Sequence, residues 1–256
     1  MSSCFLWVIR REISVFSKLF ISKIIDIVII ASTNILVFAY IMPHFGFKND
    51  YGVFIFLNLI PMITLFEVIP KTSEFVADIT GPKKISYMLT LPMNSSHVFI
   101  AIGIGWAITT AIISLLMLPL GKLFLMSKFS LSEVSIWRFL LIFIASNLFF
   151  SFFALFLTGL IKEMKYMGWV WVRVVNPMFM LGCYFYSWYS LFEASKIAGY
   201  INLINPIIYA VEGLRGSILG QKGTISFIYC FIALVGFCLI FGYFGIKMLK
   251  KRLDCI

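Results

Sequence analysis

The chain has 256 residues, of which 61% are hydrophobic, 18% aromatic and only 12% charged, and its mean hydropathy is +1.01. Soluble domains carry about 25% charge, so an ordinary water-soluble enzyme is excluded, and six apolar stretches leave no room for a separate catalytic domain. The net charge of +10 would suggest nucleic acid as a partner in a soluble protein; here the bias of basic residues toward cytoplasmic segments accounts for it, and no nucleic acid is expected.

Runs of about 20 apolar residues cross a bilayer core as helix. Six occur, at 24–42, 51–70, 98–120, 139–161, 167–192 and 225–246. They are continuously apolar, which disfavours a barrel with its alternating strands. The expected fold is therefore an all-α membrane protein, a single transmembrane domain over 1–256 with the lipid bilayer as its surroundings. With the N-terminus inside, the cytoplasmic segments hold Arg10, Arg11, Lys18, Lys23, Lys71, Lys83, Lys84, Lys162, Lys165, Lys247, Lys250, Lys251 and Arg252. The other side holds Lys48, Lys122, Lys128, Arg138, Lys196, Arg215 and Lys222. This bias predicts both termini in the cytoplasm and a multi-pass protein of the inner membrane.

In chain order, Phe5, Ile9, Ile13, Phe16 and Phe20 recur every three or four residues, with Arg11, Ser14 and Lys18 on the other side. This pattern suits an amphipathic helix over 3–20 lying in the membrane interface; a plain lead-in to the first span is the simpler alternative. Asp26 is spaced to pair with Lys23, and Glu67 with Lys71. The longest polar gap, 71–97, follows the second stretch. Thr80-Gly81-Pro82 reads as a helix start with Pro82 at its first position. Ile85, Met88 and Leu89 then fall on one face, and Pro92 is a stop. Over 82–91 the loop thus holds a short rigid helix. Its apolar set has no evident core to enter and calls for lipid or a partner's groove. Asn94, Ser95 or Ser96 is placed to cap the third span.

Arg173 lies about two turns into the fifth stretch and is either a snorkelling side chain or part of a pathway. Tyr184-Phe185-Tyr186 and Trp188-Tyr189 read as an outer aromatic belt or as a stacking surface for a substrate. The region 193–224 is half apolar, and Asn205-Pro206 interrupts its run 201–209. It reads as an outer re-entrant or interfacial segment. Glu212 and Arg215 face each other at i, i+3, and Gly216 and Gly220 are expected to break the chain before the last stretch.

The five cysteines, Cys4, Cys183, Cys230, Cys238 and Cys255, show no metal-site spacing and read as apolar fillers. The chain has no phosphate-binding loop, no GxSxG and no HExxH. His44 and His97 fall on opposite sides of the expected membrane. No catalytic residue, metal site or cofactor of its own is expected.

Three features together resemble the membrane subunit of type-2 ATP-binding-cassette exporters. One is Gly81-Pro82-Lys83-Lys84-Ile85-Ser86-Tyr87-Met88-Leu89-Thr90-Leu91-Pro92, similar to that family's loop helix after the second span. Another is Asn205-Pro206-Ile207-Ile208-Tyr209-Ala210-Val211-Glu212-Gly213-Leu214-Arg215, similar to its Asn-Pro-x-x-Tyr-x-x-Glu-x-x-Arg stretch. The last is the plan of an interface helix and six spans. Family members often carry acids early in the loop helix, where this chain has Lys83 and Lys84.

The resemblance implies a permease that pairs with a second copy, as homo- or heterodimer, and binds cytoplasmic ATPase subunits that hold the ATP and Mg. Lys83, Lys84, Ile85, Met88 and Leu89 would couple to the ATPase. Asn205, Pro206, Glu212 and Arg215 would build the re-entrant segment, and Arg173, Tyr184, Tyr186 and Trp188 are candidates for the substrate path. So short a chain leaves little room for a path within one subunit, so the path is expected at the subunit interface. The rival readings are an ion-coupled secondary transporter, which needs buried acids or discontinuous spans, and an intramembrane lipid-modifying enzyme, which needs clustered acids, a histidine pair or an activated serine.

Overall fold

Backbone amides in an apolar medium must find partners within the chain, and a helix supplies them locally. The computed structural model describes residues 2–48, 50–125, 134–221 and 223–253, and among them there is no strand. Lys128, Lys222 and Cys255 lie outside the described residues. Helix α1 (Ser2–Ile35) runs on through a π turn (Leu36–Ile41) and a 3-10 turn (Met42–Phe45). Then come α2 (Tyr51–Thr80), α3 (Lys84–Leu89), α4 (Ser95–Leu115), α5 (Met117–Leu125) and α6 (Ile136–Leu160). A broken stretch follows: a 3-10 turn (Met164–Tyr166), α7 (Met167–Val170), a π turn (Trp171–Val175) and α8 (Asn176–Met180). The chain ends with α9 (Trp188–Ala194), α10 (Lys196–Asn202), α11 (Ile207–Ile218) and α12 (Phe227–Arg252). Five described helical stretches are long and apolar enough to cross a membrane: Ser3–Phe45, Tyr51–Thr80, Ser95–Leu125, Ile136–Leu160 and Phe227–Arg252. The pair α10 and α11, bent by 100°, makes a sixth if it counts as one span.

The central helix is α2, buried along most of its length from Gly52 to Val76 between α4, α6 and α11. Its hold on its neighbours is partly polar. Asn147 of α6 presents Oδ1 to two hydroxyls at once, Thr64 of α2 at 3.2 Å and Thr110 of α4 at 3.0 Å. One amide thereby joins three helices in the core. Along α6 lies α12, and a Cβ on Gly245 would stand 2.8 Å from the backbone nitrogen of Phe156, so only glycine permits that approach. Phe241 of α12 packs among Phe149, Phe153 and Phe156 of α6.

The chain start, α3 and the chain end gather at one end of this bundle. Arg11 reaches Met88 of α3, and Arg252 donates to the carbonyls of Thr158, Ile161 and Lys162 at the end of α6. At the opposite end the Ser135 amide, ahead of α6, donates to the carbonyl of Ser217 in α11, 2.9 Å.

Four sequence expectations are corrected here. Residues 3–20 are not a helix apart from the first span, because α1 has no break between them. Phe5, Ile9, Phe16 and Phe20 pack against the bundle core, and Val8 is fully buried. The second stretch does not end at Pro70; α2 continues ten residues to Thr80, since Thr72, Phe75 and Val76 are buried against the bundle. A proline inside a helix removes one amide donor, and burial on several sides offsets that cost. The stretch 167–192 is not one regular helix. Cys183 sits at φ +60°, and α2 captures carbonyls of the non-helical part: Asn58 Nδ2 donates to Tyr184 O at 2.8 Å and the Tyr51 hydroxyl to Phe185 O at 3.0 Å. Finally, Gly216 lies within α11; the break comes at Gly220, at φ +89°.

Asn147→Ala should cost about 1 kcal/mol of stability in mild detergent, the usual scale of hydrogen bonds between helices in membranes. Thr64→Ala and Thr110→Ala should each cost less in that background than alone. An unfolding titration with full additivity would show that the three groups do not act together.

Candidate functional site

Helix α3 is held by the acid that precedes it. Asp78, in the last turn of α2, accepts from the amides of Lys84 (Oδ1, 3.0 Å) and Ile85 (Oδ2, 2.8 Å), two of the donors a helix start leaves open. Its own carbonyl takes the Lys83 amide at 2.8 Å. That bond steadies Lys83 in the left-handed region, φ +56°, which costs a non-glycine residue roughly 1–2 kcal/mol. The helix thus begins at Lys84 and not at Pro82, which belongs to the turn. Asn94 is the residue that caps α4, accepting from the Ser96 amide at 3.0 Å.

The apolar face of α3 needs no outside cover. Ile85 is 0% exposed and Met88 is buried, while Leu89 is half-buried. This corrects the expectation that Ile85, Met88 and Leu89 call for lipid or a partner's groove. What α3 offers the outside is Lys83, Lys84, Ser86 and Tyr87, with Tyr87 70% exposed.

Behind α3 lies a cavity of about 280 Å³ between α1, α2 and α4, lined by four basic and four acidic side chains beside an apolar wall. Arg11 Nη1 bonds Glu12 Oε1 at 2.9 Å and reaches Met88 Sδ at 3.4 Å. The second carboxylate oxygen of Glu12 accepts from the Trp106 indole at 3.1 Å. A continuous row of contacts therefore runs from α3 through α1 to α4. A Cβ on Gly105 would stand 2.8 Å from the Glu12 side chain, so glycine is what lets α1 come this close to α4. Lys23 pairs with Glu67 at 3.0 Å, and the Lys71 ammonium donates to the Thr109 hydroxyl. These bonds between helices replace the expected pairs within one helix, Lys23 with Asp26 and Glu67 with Lys71. Glu12, Trp106 and Thr109 were not among the sequence candidates. Glu12 did carry a signal: it falls in register with Phe5, Ile9 and Phe16, an acid on the apolar face of α1.

A second polar centre lies at the other end. Glu212 and Arg215 of α11 form an ion pair with side chains 0% and 3% exposed. Glu212 Oε1 also accepts the Trp188 amide at 2.7 Å, and the Arg215 guanidinium lies over the Phe54 ring, 4.4 Å from its centroid. Asn205 starts α11: its Oδ1 accepts from the Ile207 amide at 3.1 Å and its Nδ2 donates to Met178 O at 2.7 Å, with Pro206 between. Asn205, Pro206, Glu212 and Arg215 thus belong to one assembly.

The four residues weighed for a substrate path do not line the charged cavity. Tyr184 is buried in the core with its hydroxyl on Asn34 Oδ1 at 3.0 Å, so it belongs to neither an outer belt nor a stacking surface. Tyr186 and Trp188 are half-buried, and the Trp188 indole donates to Gly199 O at 3.0 Å. Arg173 faces outward over the Trp169 ring, 4.4 Å from its centroid. Among the described residues no group of three His, Cys, Asp or Glu is placed to hold a metal ion. No protein-family model matches the chain, and no curated protein matches it.

Two outcomes follow from this geometry. Asp78→Ala should free the start of α3, and limited trypsin cleavage after Lys83 or Lys84 should accelerate by roughly tenfold, the equivalent of about 1.4 kcal/mol. Glu212→Ala leaves a buried guanidinium without its carboxylate and should cost about 3–5 kcal/mol of stability, whereas the paired change Glu212→Leu with Arg215→Met should recover most of it. Thermal unfolding in detergent reads both variants, and equal losses would show that the ion pair is not the source of the cost.

Proposed function

We propose that the chain is the membrane-spanning permease subunit of an ATP-binding-cassette exporter of the type-2 kind, with ATP and Mg handled by a separate cytoplasmic subunit. The observation that carries this reading is α3. It is a short surface helix tied rigidly to α2 through Asp78, backed by Arg11 and Met88, and presenting a basic and aromatic face. A soluble partner that pushes on Tyr87 would move Met88 and Arg11, and through Glu12 and Trp106 would move α1 and α4. The loop helix and the Asn205-Pro206…Glu212…Arg215 stretch, the two motifs that resemble that family, support the same reading.

In this reading the end that holds α3 and both chain termini faces the cytoplasm across the inner membrane. The start of α1 lies at the interface, and α10 with α11 forms an outer re-entrant segment. A second permease copy completes the path, at or near the interface between copies. Because Ile85 and Met88 face inward, the docking set is Lys83, Lys84 and Tyr87, and the basic pair calls for acidic residues on the ATPase.

A second reading has its own observations. Glu12, Glu67 and Lys71 around one cavity, together with the broken stretch from Met164 to Met180, are features of an ion-coupled carrier. Transport by the chain alone in proteoliposomes, driven by an ion gradient without ATP, would favour it over the exporter.

Tyr87→Asp should leave the chain inserted while cutting the ATPase that co-purifies from native membranes by about tenfold, the loss expected when a central aromatic anchor is removed from an interface. Undiminished retention and ATP hydrolysis would remove α3 from the docking surface.

A further inference from the structure

The last turns of α12 build a second cavity, of about 670 Å³, against the start of α4. Its lining is Ser96 with Tyr243, Ile246, Lys247, Lys250 and Lys251, and it contains no acid. The lysines stand at i, i+3 and i+4, so they share one face of α12. None of them forms an ion pair with a described carboxylate. Arg252 does not join them. It turns the other way and bonds the carbonyls of Thr158, Ile161 and Lys162 at 2.5–2.8 Å. That clamp ties the end of α12 to the end of α6 and fixes which way the lysine face points. The start of α4, a 21-residue helix, adds the positive end of its dipole.

Three cations gathered without a counter-charge among the described residues call for an anion. The surface beyond them says what kind. Toward the middle of α12 the exposed residues are apolar: Leu239, Ile240, Tyr243 and Phe244. A free phosphate would leave that strip uncovered, whereas an acyl chain would lie along it. We propose that this groove is a binding site for one anionic phospholipid, its phosphate held by Lys247, Lys250 and Lys251 and its chain running along α12. The site is independent of the permease reading, since it needs only that α12 stands in a bilayer.

The test uses the full chain purified in neutral detergent, with native mass spectrometry reading retained phosphatidylglycerol against phosphatidylcholine. The wild type should prefer phosphatidylglycerol. The variant K247Q/K250Q/K251Q should lose roughly 100-fold in that preference, since each interfacial lysine contributes about fivefold toward an anionic headgroup. The control R10Q/K18Q/K162Q removes the same charge from the same end of the bundle and should keep the preference within about twofold. Equal losses in the two variants would mean diffuse attraction and overturn the site, as would a wild type without preference. Inorganic phosphate at millimolar concentration should not displace the lipid; if it does, the groove recognises phosphate alone and the phospholipid assignment falls.

Discussion

Helices in lipid gain little from burying apolar surface against one another, because the surrounding tails are as apolar as leucine. This bundle is therefore tied by contacts that lipid cannot supply. Asn147 accepts from Thr64 and Thr110 and joins three helices in the buried core. The close approach of α12 to α6 at Gly245 supplies dense van der Waals packing. The position of α2 depends on these ties, and much else depends on α2. Its Asn58 and Tyr51 hold the backbone of the irregular stretch after α8, and its last turn carries the aspartate that holds α3.

Charge is distributed unevenly in consequence. At the α3 end, opposite charges meet around a cavity that stays open to the surface: Lys23 with Glu67 across α1 and α2, and Arg11 with Glu12 within α1. Such partly solvated pairs can rearrange at small cost, since surface ion pairs are worth roughly 0–1 kcal/mol. At the other end, Glu212 and Arg215 are sealed from solvent and locked by the Trp188 amide and the Phe54 ring. A sealed pair resists separation, because either partner alone would be a buried charge. The two ends thus differ in how tightly their charges are enclosed.

The bend between α10 and α11 fits this division. Asn205 holds both the start of α11 and the carbonyl of Met178 at the end of α8, so it fastens the irregular stretch to the bent pair. With α11 buried between α2, α6 and α12, one end of the bundle is filled by a buried helix, while the other has a charged cavity behind a short exposed helix.

The sequence by itself determined what depends on neighbours along the chain. Runs of apolar residues marked where helices lie, one of Asn94, Ser95 and Ser96 was placed to cap α4, and the spacing of Glu212 and Arg215 set them side by side. The tertiary structure alone decided which way side chains face. In a stretch that is apolar on every side, periodicity carries no orientation, so nothing local distinguishes the buried Tyr184 from the exposed Tyr189, or tells Lys23 to cross to Glu67 when Asp26 lies three residues away. Pro70 reads as a helix end in isolation; packing on several sides carries α2 past it and brings Asp78 to α3. The charged cavity escaped the sequence for the same reason: Glu12, the turn of α2 that carries Glu67 and Lys71, and Trp106 are far apart in the chain, and only the packing of α1, α2 and α4 makes them one site.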